Sequence, residues 1–346
     1  MFNQTTRYIA CLSVAAALSA TTEAGSMPAD DARLVPAPLE RYWHESLSGG
    51  PPKDGIPSID DPRFESADQA DRWLDEGDRI IGIHRNGQAR AYPQSILVWH
   101  EIVNDTINGE NIAITYCPLT GTALGFERGE DELGVSGRLV NSNLIMYNRA
   151  NDTYWPQILA AGIHGPQTGE SLREARVVWT TWDRWKERHP DTEVLSRRTG
   201  HARNYRRDPY GNYNPRSGYY ADRGTLFPLF ARSDRFHEKH EVFGFRTANE
   251  AVAVEPSVLA EAGRLRFAGE QHDFLILHDA GLNTAWVFRG DKGGLPSDEA
   301  LGDLEFTTSG PAGPALEGLT PVNGFEAMWF AWHAFYPETV VIDELD

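Results

Sequence analysis

Hydrophobic and polar residues alternate along much of the chain, and the alternating stretches come in pairs. Residues 80–84 and 89–93 flank Asn86-Gly87, a dipeptide that favours the tight turn of a β-hairpin. A second pair of stretches, 112–116 and 122–126, follows. The pattern therefore predicts a chain rich in antiparallel strands.

The chain also resembles itself. Residues 80–97 align without gaps with residues 242–259, and the pattern WxxWxxxxPxTxV occurs at 182–194 and again at 329–341. The tryptophans of this pattern are spaced as on one face of a helix, so we expect a helix whose indoles lie in the core. The helical face is expected to include Trp179 in the first copy and Phe325 in the second, where Asn323 and Glu326 have capping-box spacing.

These observations predict a strand-rich α+β fold of two tandem pseudo-repeats, each made of β-hairpins closed by a tryptophan-bearing helix. The predicted divisions are a signal peptide (1–24), an extended lead segment (25–57), a first repeat with the candidate site (58–200), a linker loop rich in Tyr, Arg and Asp (201–239), and a second, degenerate repeat (240–346).

The N-terminal sequence and the net charge indicate in which compartment the protein acts and which partners are unfavourable. Arg7, the apolar run 9–20 and the small residues at 22–24 are typical of a secretory signal, so we expect a periplasmic or secreted protein. The run is shorter than the ~20 residues that span a bilayer, and no membrane span is expected in the mature chain. The formal net charge of −18 argues against nucleic acid as a partner. Of two cysteines, only Cys117 would remain after signal cleavage.

The two copies differ where chemistry is most expected. At the common offset, His100 becomes Ala262 and Cys117 becomes Asp279. Features shared by both copies are interpreted as scaffold, whereas features of one copy are free to be functional. The first copy is therefore predicted to carry the site.

Several motifs resemble one family closely. They are AYPQSILVWHEIVND (91–105), ITYCPLTGTALGFER (114–128), GVSGRLVNSNLIMYNR (134–149), the HPDTEVLS run (189–196) and DPYGNY (208–213). At these motifs the chain is similar to a family of bacterial proteins known as domain of unknown function 3179. The resemblance implies an exported protein and no particular activity. Family members often have a second cysteine where Thr120 stands, so a dithiol mechanism is not expected here.

Three interpretations of Cys117 remain open. With His100 and one further histidine, its thiolate is suited to a single copper or zinc ion. With His100 as base and Glu101 or Asp105 as orienting carboxylate, it would serve a thiol-dependent hydrolase or transferase. It is otherwise a buried structural cysteine.

A pocket for a small molecule or an envelope component is the remaining prediction. Its candidate lining residues are polar side chains around the cysteine: Tyr116, Thr122, Arg138, Asn141, Ser142, Asn143, Tyr147 and Gln157. The residues 141–143 would alternatively form a turn. Besides the metal site and the thiol-dependent enzyme, a third functional hypothesis is a non-catalytic envelope module that binds glycan or peptide through the tyrosines of the 201–239 segment.

Overall fold

The computed structural model describes residues 33–345. The predicted signal peptide lies outside the described residues. Within them the strands, in chain order, are β1 (Leu47–Ser48), β2 (Phe64–Ser66), β3 (Arg79–Arg85), β4 (Gln88–Pro93), β5 (Ile102–Ile107), β6 (Glu110–Cys117), β7 (Thr122–Glu127), β8 (Leu133–Val140), β9 (Asn143–Asn148), β10 (Tyr154–Pro156), β11 (Arg173–Ala175), β12 (Val178–Thr181), β13 (Glu193–Leu195), β14 (Gly211–Tyr213), β15 (Arg216–Gly218), β16 (Glu241–Arg246), β17 (Ala251–Val254), β18 (Arg264–Ala268), β19 (Asp273–Asp279), β20 (Thr284–Gly290), β21 (Glu305–Thr307), β22 (Gly310–Ala312), β23 (Thr320–Val322), β24 (Gly324–Met328) and β25 (Val340–Ile342).

Helices are short and few. They are α1 (Leu39–His44), α2 (Ala67–Ala70), α3 (Gln94–Leu97), α4 (Trp182–Arg188), α5 (Pro256–Ala262) and α6 (Trp329–Phe335), with 3₁₀ turns at Ala300–Asp303 and Pro314–Leu316. Within residues 33–345, none of these helices has the length and apolar character needed to cross a membrane.

The strands form five small sheets arranged as the blades of a β-propeller. Blade I has the order β12-β3-β4-β13-β2, blade II β11-β7-β6-β5, blade III β1-β8-β9-β10, blade IV β24-β16-β17-β25 and blade V β18-β19-β20-β23. Two separate hairpins, β14-β15 and β21-β22, complete the described strands. The predicted α+β fold of two tandem units closed by tryptophan helices is therefore wrong: the chain is strand-rich, with only 13% helix, and has five blades.

Local turn chemistry explains why the predicted hairpins form. Asn86 and Gly87 both have positive φ (50° and 77°), as the connecting turn between β3 and β4 requires. The second predicted pair is also confirmed, since β6 and β7 are antiparallel neighbours. Asn141 and Ser142 have positive φ as well and connect β8 to β9, which confirms the turn interpretation for those two residues.

The predicted core tryptophans are buried, but the helices that carry them begin later than expected. Trp179 lies in β12 and Phe325 in β24, and both precede the helix. The capping box predicted at Asn323 is wrong, because its amide donates to Glu174 instead. Glu326, the other expected capping residue, lies in a strand.

Gly82 in blade I and Gly244 in blade IV allow close packing of an indole against a strand. A Cβ atom at Gly82 would lie 2.3 Å from Trp185, and one at Gly244 would lie 2.2 Å from Trp332. The Trp185 indole donates to the hydroxyl of Thr192 at 3.0 Å, as Trp332 does to that of Thr339 at 2.9 Å. The sequence similarity thus reflects shared packing in two of the five blades.

Two segments that were predicted to lack regular structure contain helices or strands. The segment 25–57 includes α1 and β1, which pairs with β8. The segment 201–239 forms the β14-β15 hairpin and buries Tyr205 and Tyr220. The latter segment forms one wall of the site described below.

Candidate functional site

Cys117 ends β6 and is buried beneath the turn between β8 and β9. Its Sγ accepts the backbone N–H of Leu144 at 3.4 Å and donates to the carbonyl of Ser142 at 3.8 Å. Burial, together with the nearby carboxyl of Glu101, raises the pKa of the thiol to about 11. The thiol is therefore protonated at neutral pH, which disfavours both attack by a thiolate and binding of a metal.

Glu101 lies beside the thiol in a strained backbone conformation. Its φ is 59°, a left-handed value that costs a residue with a Cβ roughly 1–2 kcal/mol. The backbone of Glu101 donates to Leu97 O and accepts from Tyr116 N, each at 2.7 Å. Within the described chain its carboxyl receives no hydrogen bond, and burial raises its pKa to about 8. The structure thus places Glu101 beside Cys117, as one of the predicted orienting carboxylates.

His100 makes a different set of contacts. Its Nδ1 lies 2.8 Å from the carbonyl of Pro57, so Nδ1 carries the proton; Nε2 accepts from the hydroxyl of Tyr205 at 2.7 Å. Burial lowers the pKa of His100 to about 4. Both ring nitrogens are therefore occupied in neutral histidine, and neither is left to bind a metal or to deprotonate Cys117.

The described residues supply no further ligands for the metal site predicted at Cys117 and His100. No group of three or more His, Cys, Asp or Glu side chains between residues 33 and 345 is placed to hold a metal ion. Since His100 is bonded elsewhere and Cys117 holds its proton, the predicted copper or zinc site on this pair lacks the geometry that it requires.

Asp105 is engaged in holding two strands together. Its two carboxylate oxygens each lie 2.7 Å from Nη1 of Arg90, and Tyr92 donates its hydroxyl to Oδ2 at 2.5 Å. The backbone N–H of Thr106 donates to Oδ1. With these bonds formed, Asp105 is not positioned to orient His100.

Three of the predicted pocket residues form an interior network. Thr122 donates to Oε1 of Gln157 at 2.6 Å, and the Asn143 amide donates to the same oxygen at 3.0 Å. The Gln157 amide donates in turn to Thr115 at 2.8 Å, and Asn143 also reaches Thr120 at 3.1 Å. These side chains are almost fully buried and bond one another, so they stabilise the blades around Cys117.

The remaining predicted residues are dispersed. Arg138 donates to the carbonyl of Ser46 at 2.9 Å, Asn141 bonds the backbones of Phe230 and Ala334, and Tyr147 donates to Asp54 at 2.5 Å. The Ser142 hydroxyl is buried without a partner in the described chain, and the Tyr116 hydroxyl lies 2.8 Å from that of Tyr213.

An open cleft of about 560 Å³ lies elsewhere, between blade I and the 201–239 segment. Five of its lining residues are arginines: Arg72, Arg79, Arg197, Arg206 and Arg207. Its other lining residues include Trp73, Asp75, Asp78, Gln94, Tyr205, Asp208, Tyr213 and Asn214. We call this cavity the arginine cleft.

Two of the five cleft arginines stack on indole rings. The guanidinium of Arg197 lies over Trp73, with Cζ 4.6 Å from the ring centroid, and that of Arg79 lies over Trp179 at 5.6 Å. None of the five forms an ion pair with a carboxylate of residues 33–345. Stacked guanidinium groups with unused donors are suited to bind carboxylate or phosphate.

The floor of the cleft joins two of the sequence motifs. Oδ2 of Asp208, in DPYGNY, accepts from the Gln94 amide at 2.7 Å and from the Tyr220 hydroxyl at 2.8 Å. Its Oδ1 accepts the backbone N–H of Tyr210 at 2.7 Å. Asp208 therefore positions the loop, and its carboxylate is one of three that line the cleft, with those of Asp75 and Asp78.

Sequence reasoning missed this cleft, although a signal was present. Five arginines fall between 197 and 207 in a chain whose formal net charge is −18, and three of them line the cleft. The tyrosine hypothesis came closest, because Tyr205 and Tyr213 of the 201–239 segment are lining residues.

Comparison with known proteins gives one match. No curated protein matches the chain, and no solved structure matches it. The sequence profile of one family matches residues 53–339, which span both the Cys117 region and the arginine cleft. The chain belongs to the family described as protein of unknown function (DUF3179).

Proposed function

We propose that this protein is an exported binding protein whose arginine cleft holds a small anionic ligand. The observation that carries the proposal is the set of five cleft arginines without a carboxylate partner in the described chain. The five arginines outnumber the three aspartates that line the same cavity, and an anion that accepts hydrogen bonds from the arginines would offset this excess of positive charge.

The size of the cleft favours a small molecule. A volume of about 560 Å³ lies within the range of cavities that bind metabolites and cofactors. The negative charge of the whole chain would oppose a long polyanion such as nucleic acid, whereas a small anion meets mainly the local positive field.

The thiol-enzyme and metal-site hypotheses have less support. A thiol enzyme needs an accessible thiolate, but Cys117 is buried and its pKa is raised to about 11. A His100–Cys117 metal site needs a free imidazole nitrogen, and both nitrogens of His100 are bonded. Export is proposed from the signal-like N-terminus, and sequencing the N-terminus of protein recovered from a periplasmic fraction tests it.

Isothermal titration calorimetry at low salt tests the cleft, with inorganic phosphate, pyrophosphate and citrate as probes. We expect at least one probe to bind wild-type protein, and the double variant Arg197→Ala/Arg206→Ala to bind it at least about tenfold more weakly. The matched control is Arg198→Ala/Arg223→Ala, which removes the same charge from exposed arginines outside the cleft. No binding by any probe, or equal losses in both double variants, would overturn the proposal.

A further inference from the structure

A second, smaller cavity shares a lining residue with the arginine cleft. It measures about 80 Å³ and is lined in part by Trp179, Phe243, Leu259, Glu241 and Glu326. Arg79 lines both cavities. We call the smaller cavity the carboxylate pocket.

The carboxylate pocket has apolar walls and two carboxyl side chains. Phe243 and Leu259 are almost fully buried side chains. The ionisable side chains that line the cavity are Arg79, Glu241, Glu326 and His278, and Glu241 is already paired with Arg216.

Glu326 lacks a cationic partner at bonding distance. Its Oε1 accepts the hydroxyl of Thr284 at 2.9 Å, and burial raises the pKa of its carboxyl against the opposing influence of Arg176. The Arg176 guanidinium donates instead to the carbonyls of Gly324 and Ala285 and to the Thr284 hydroxyl. No ion pair joins Glu326 to any residue of the described chain, whereas Glu241 is paired with Arg216 at 2.5 Å.

We propose that the ligand of the arginine cleft is bipolar: its anionic group binds the arginines, while a protonated amine on the same molecule enters the carboxylate pocket and binds Glu326. This inference rests on the proposed function and specifies the class of ligand. An ammonium supplies the cation that Glu326 lacks, and the apolar walls accommodate the methylenes that carry it. The cavity holds about two or three water volumes, enough for an aminoalkyl tip and too little for a ring system.

Paired probes test this inference. Alkyl phosphates of increasing chain length are compared by calorimetry with ω-aminoalkyl phosphates of the same lengths, at neutral pH and low salt. The amine makes each probe less negative, so binding through the arginine cleft alone predicts weaker affinity for the amino compounds. We expect the reverse at a chain length that spans the two cavities, with the amino compound binding about tenfold more tightly.

Variants test whether Glu326 causes the preference for the amino compounds. Glu326→Gln should bring the affinity ratio of the paired probes close to one, and the control Arg198→Ala/Arg223→Ala should keep the wild-type ratio. Glu241→Gln should reduce the ratio less, because Glu241 already has Arg216 as a partner. If Glu326→Gln does not fold, the wild-type comparison decides alone.

The outcomes separate the two proposals. Equal or weaker binding of every amino compound, with the alkyl phosphates still bound, overturns the bipolar ligand and leaves the anion cleft standing. Retention of the preference in Glu326→Gln also overturns it. Failure of both probe series to bind contradicts the proposed function itself.

Discussion

The guanidinium of Arg197 lies over the indole of Trp73, with Cζ 4.6 Å from the ring centroid. The contact holds a planar cation against the wall of the arginine cleft, which both residues line. The Trp73 indole N–H is itself fixed by Glu65 at 2.6 Å. This geometry favours arginine over any other cation at position 197.

The loss of anion affinity on substituting Arg197 should therefore depend on side-chain geometry as well as on charge. We expect Arg197→Lys to weaken binding of pyrophosphate or citrate several-fold, because lysine retains the charge but loses the planar stack and the paired donors. Arg197→Ala should weaken it by about tenfold. Calorimetry at low salt measures both, and equal affinity in all three proteins would place the anion elsewhere.

Cys117 should react slowly with alkylating reagents. Burial and a pKa of about 11 leave a thiolate fraction at neutral pH roughly two orders of magnitude below that of an ordinary cysteine. In a Cys11→Ser background, where Cys117 is the sole thiol, iodoacetamide should label native protein far more slowly than protein in denaturant. Rapid labelling of the native protein would favour the thiol-enzyme hypothesis instead.

Glu101 should make stability depend on pH. Its pKa is 4.5 in an unperturbed state and about 8 in the fold. Between those values the unfolded chain has released a proton that the folded chain retains, so the contribution of Glu101 to stability falls as pH rises through this range. Glu101→Gln removes this dependence.

Urea denaturation of both proteins at about pH 5 and about pH 8 measures the effect. The variant should gain stability relative to wild type towards the higher pH, by at most ~1.4 kcal/mol for each pH unit. Glu45→Gln, an exposed substitution, is the control. A difference that is constant with pH would show that Glu101 is ionised normally.

Glu174 should be needed to hold two blades together. It lies in β11 of blade II, and its Oε1 is 2.5 Å from Nη2 of Arg246 in β16 of blade IV, with both side chains fully buried. Burial alone would raise the pKa of Glu174, but Arg246 and Arg33 lower it to about 2. Glu174→Ala should cost about 3–5 kcal/mol of unfolding free energy, because it leaves a buried cation unpaired.

The matched control for that measurement is Glu45→Ala, which removes an exposed ion pair with Arg41 at 2.8 Å and should change stability little. Similar values for the two variants in urea denaturation would contradict a structural role for the buried pair.

Gly82→Ala and Gly244→Ala should each destabilise the fold by about 1–3 kcal/mol. The added methyl would overlap an indole that is itself held by a threonine hydroxyl. Gly302→Ala is the control, since a Cβ there meets no atom within 4 Å. Thermal or urea denaturation of the three variants checks the expectation, and an effect of Gly82→Ala no larger than that of Gly302→Ala would contradict the packing.

Local features were the most predictable. Asn86-Gly87 specifies a hairpin because few residues adopt the positive φ values of its turn, and this holds whatever the strands pack against. The burial of Trp182 and Trp185 follows from their size and apolar character. The repeated sequence correctly marked similar packing at Gly82 and Gly244, but it could not show that three further blades lie beside those two.

The site was predicted less well, because a motif reports neighbours along the chain and not partners across it. His100 and Glu101 are adjacent in sequence, yet the left-handed backbone of Glu101 places its carboxyl near Cys117 while His100 bonds Pro57 and Tyr205. No pattern of residue types distinguishes these two directions.

Turn chemistry, alternation and motif identity are properties of short segments, so the strand-rich character, the two hairpins, the buried tryptophans and the family resemblance could all be predicted from sequence. The five-blade arrangement and the arginine cleft depend instead on contacts between segments that are distant along the chain. Arg72 and Arg79 lie far along the chain from Arg206, and their charges share one cavity only after the 201–239 segment packs against blade I. That packing sets five arginines against three lining aspartates, and the resulting excess of positive charge makes the cleft a site for an anion.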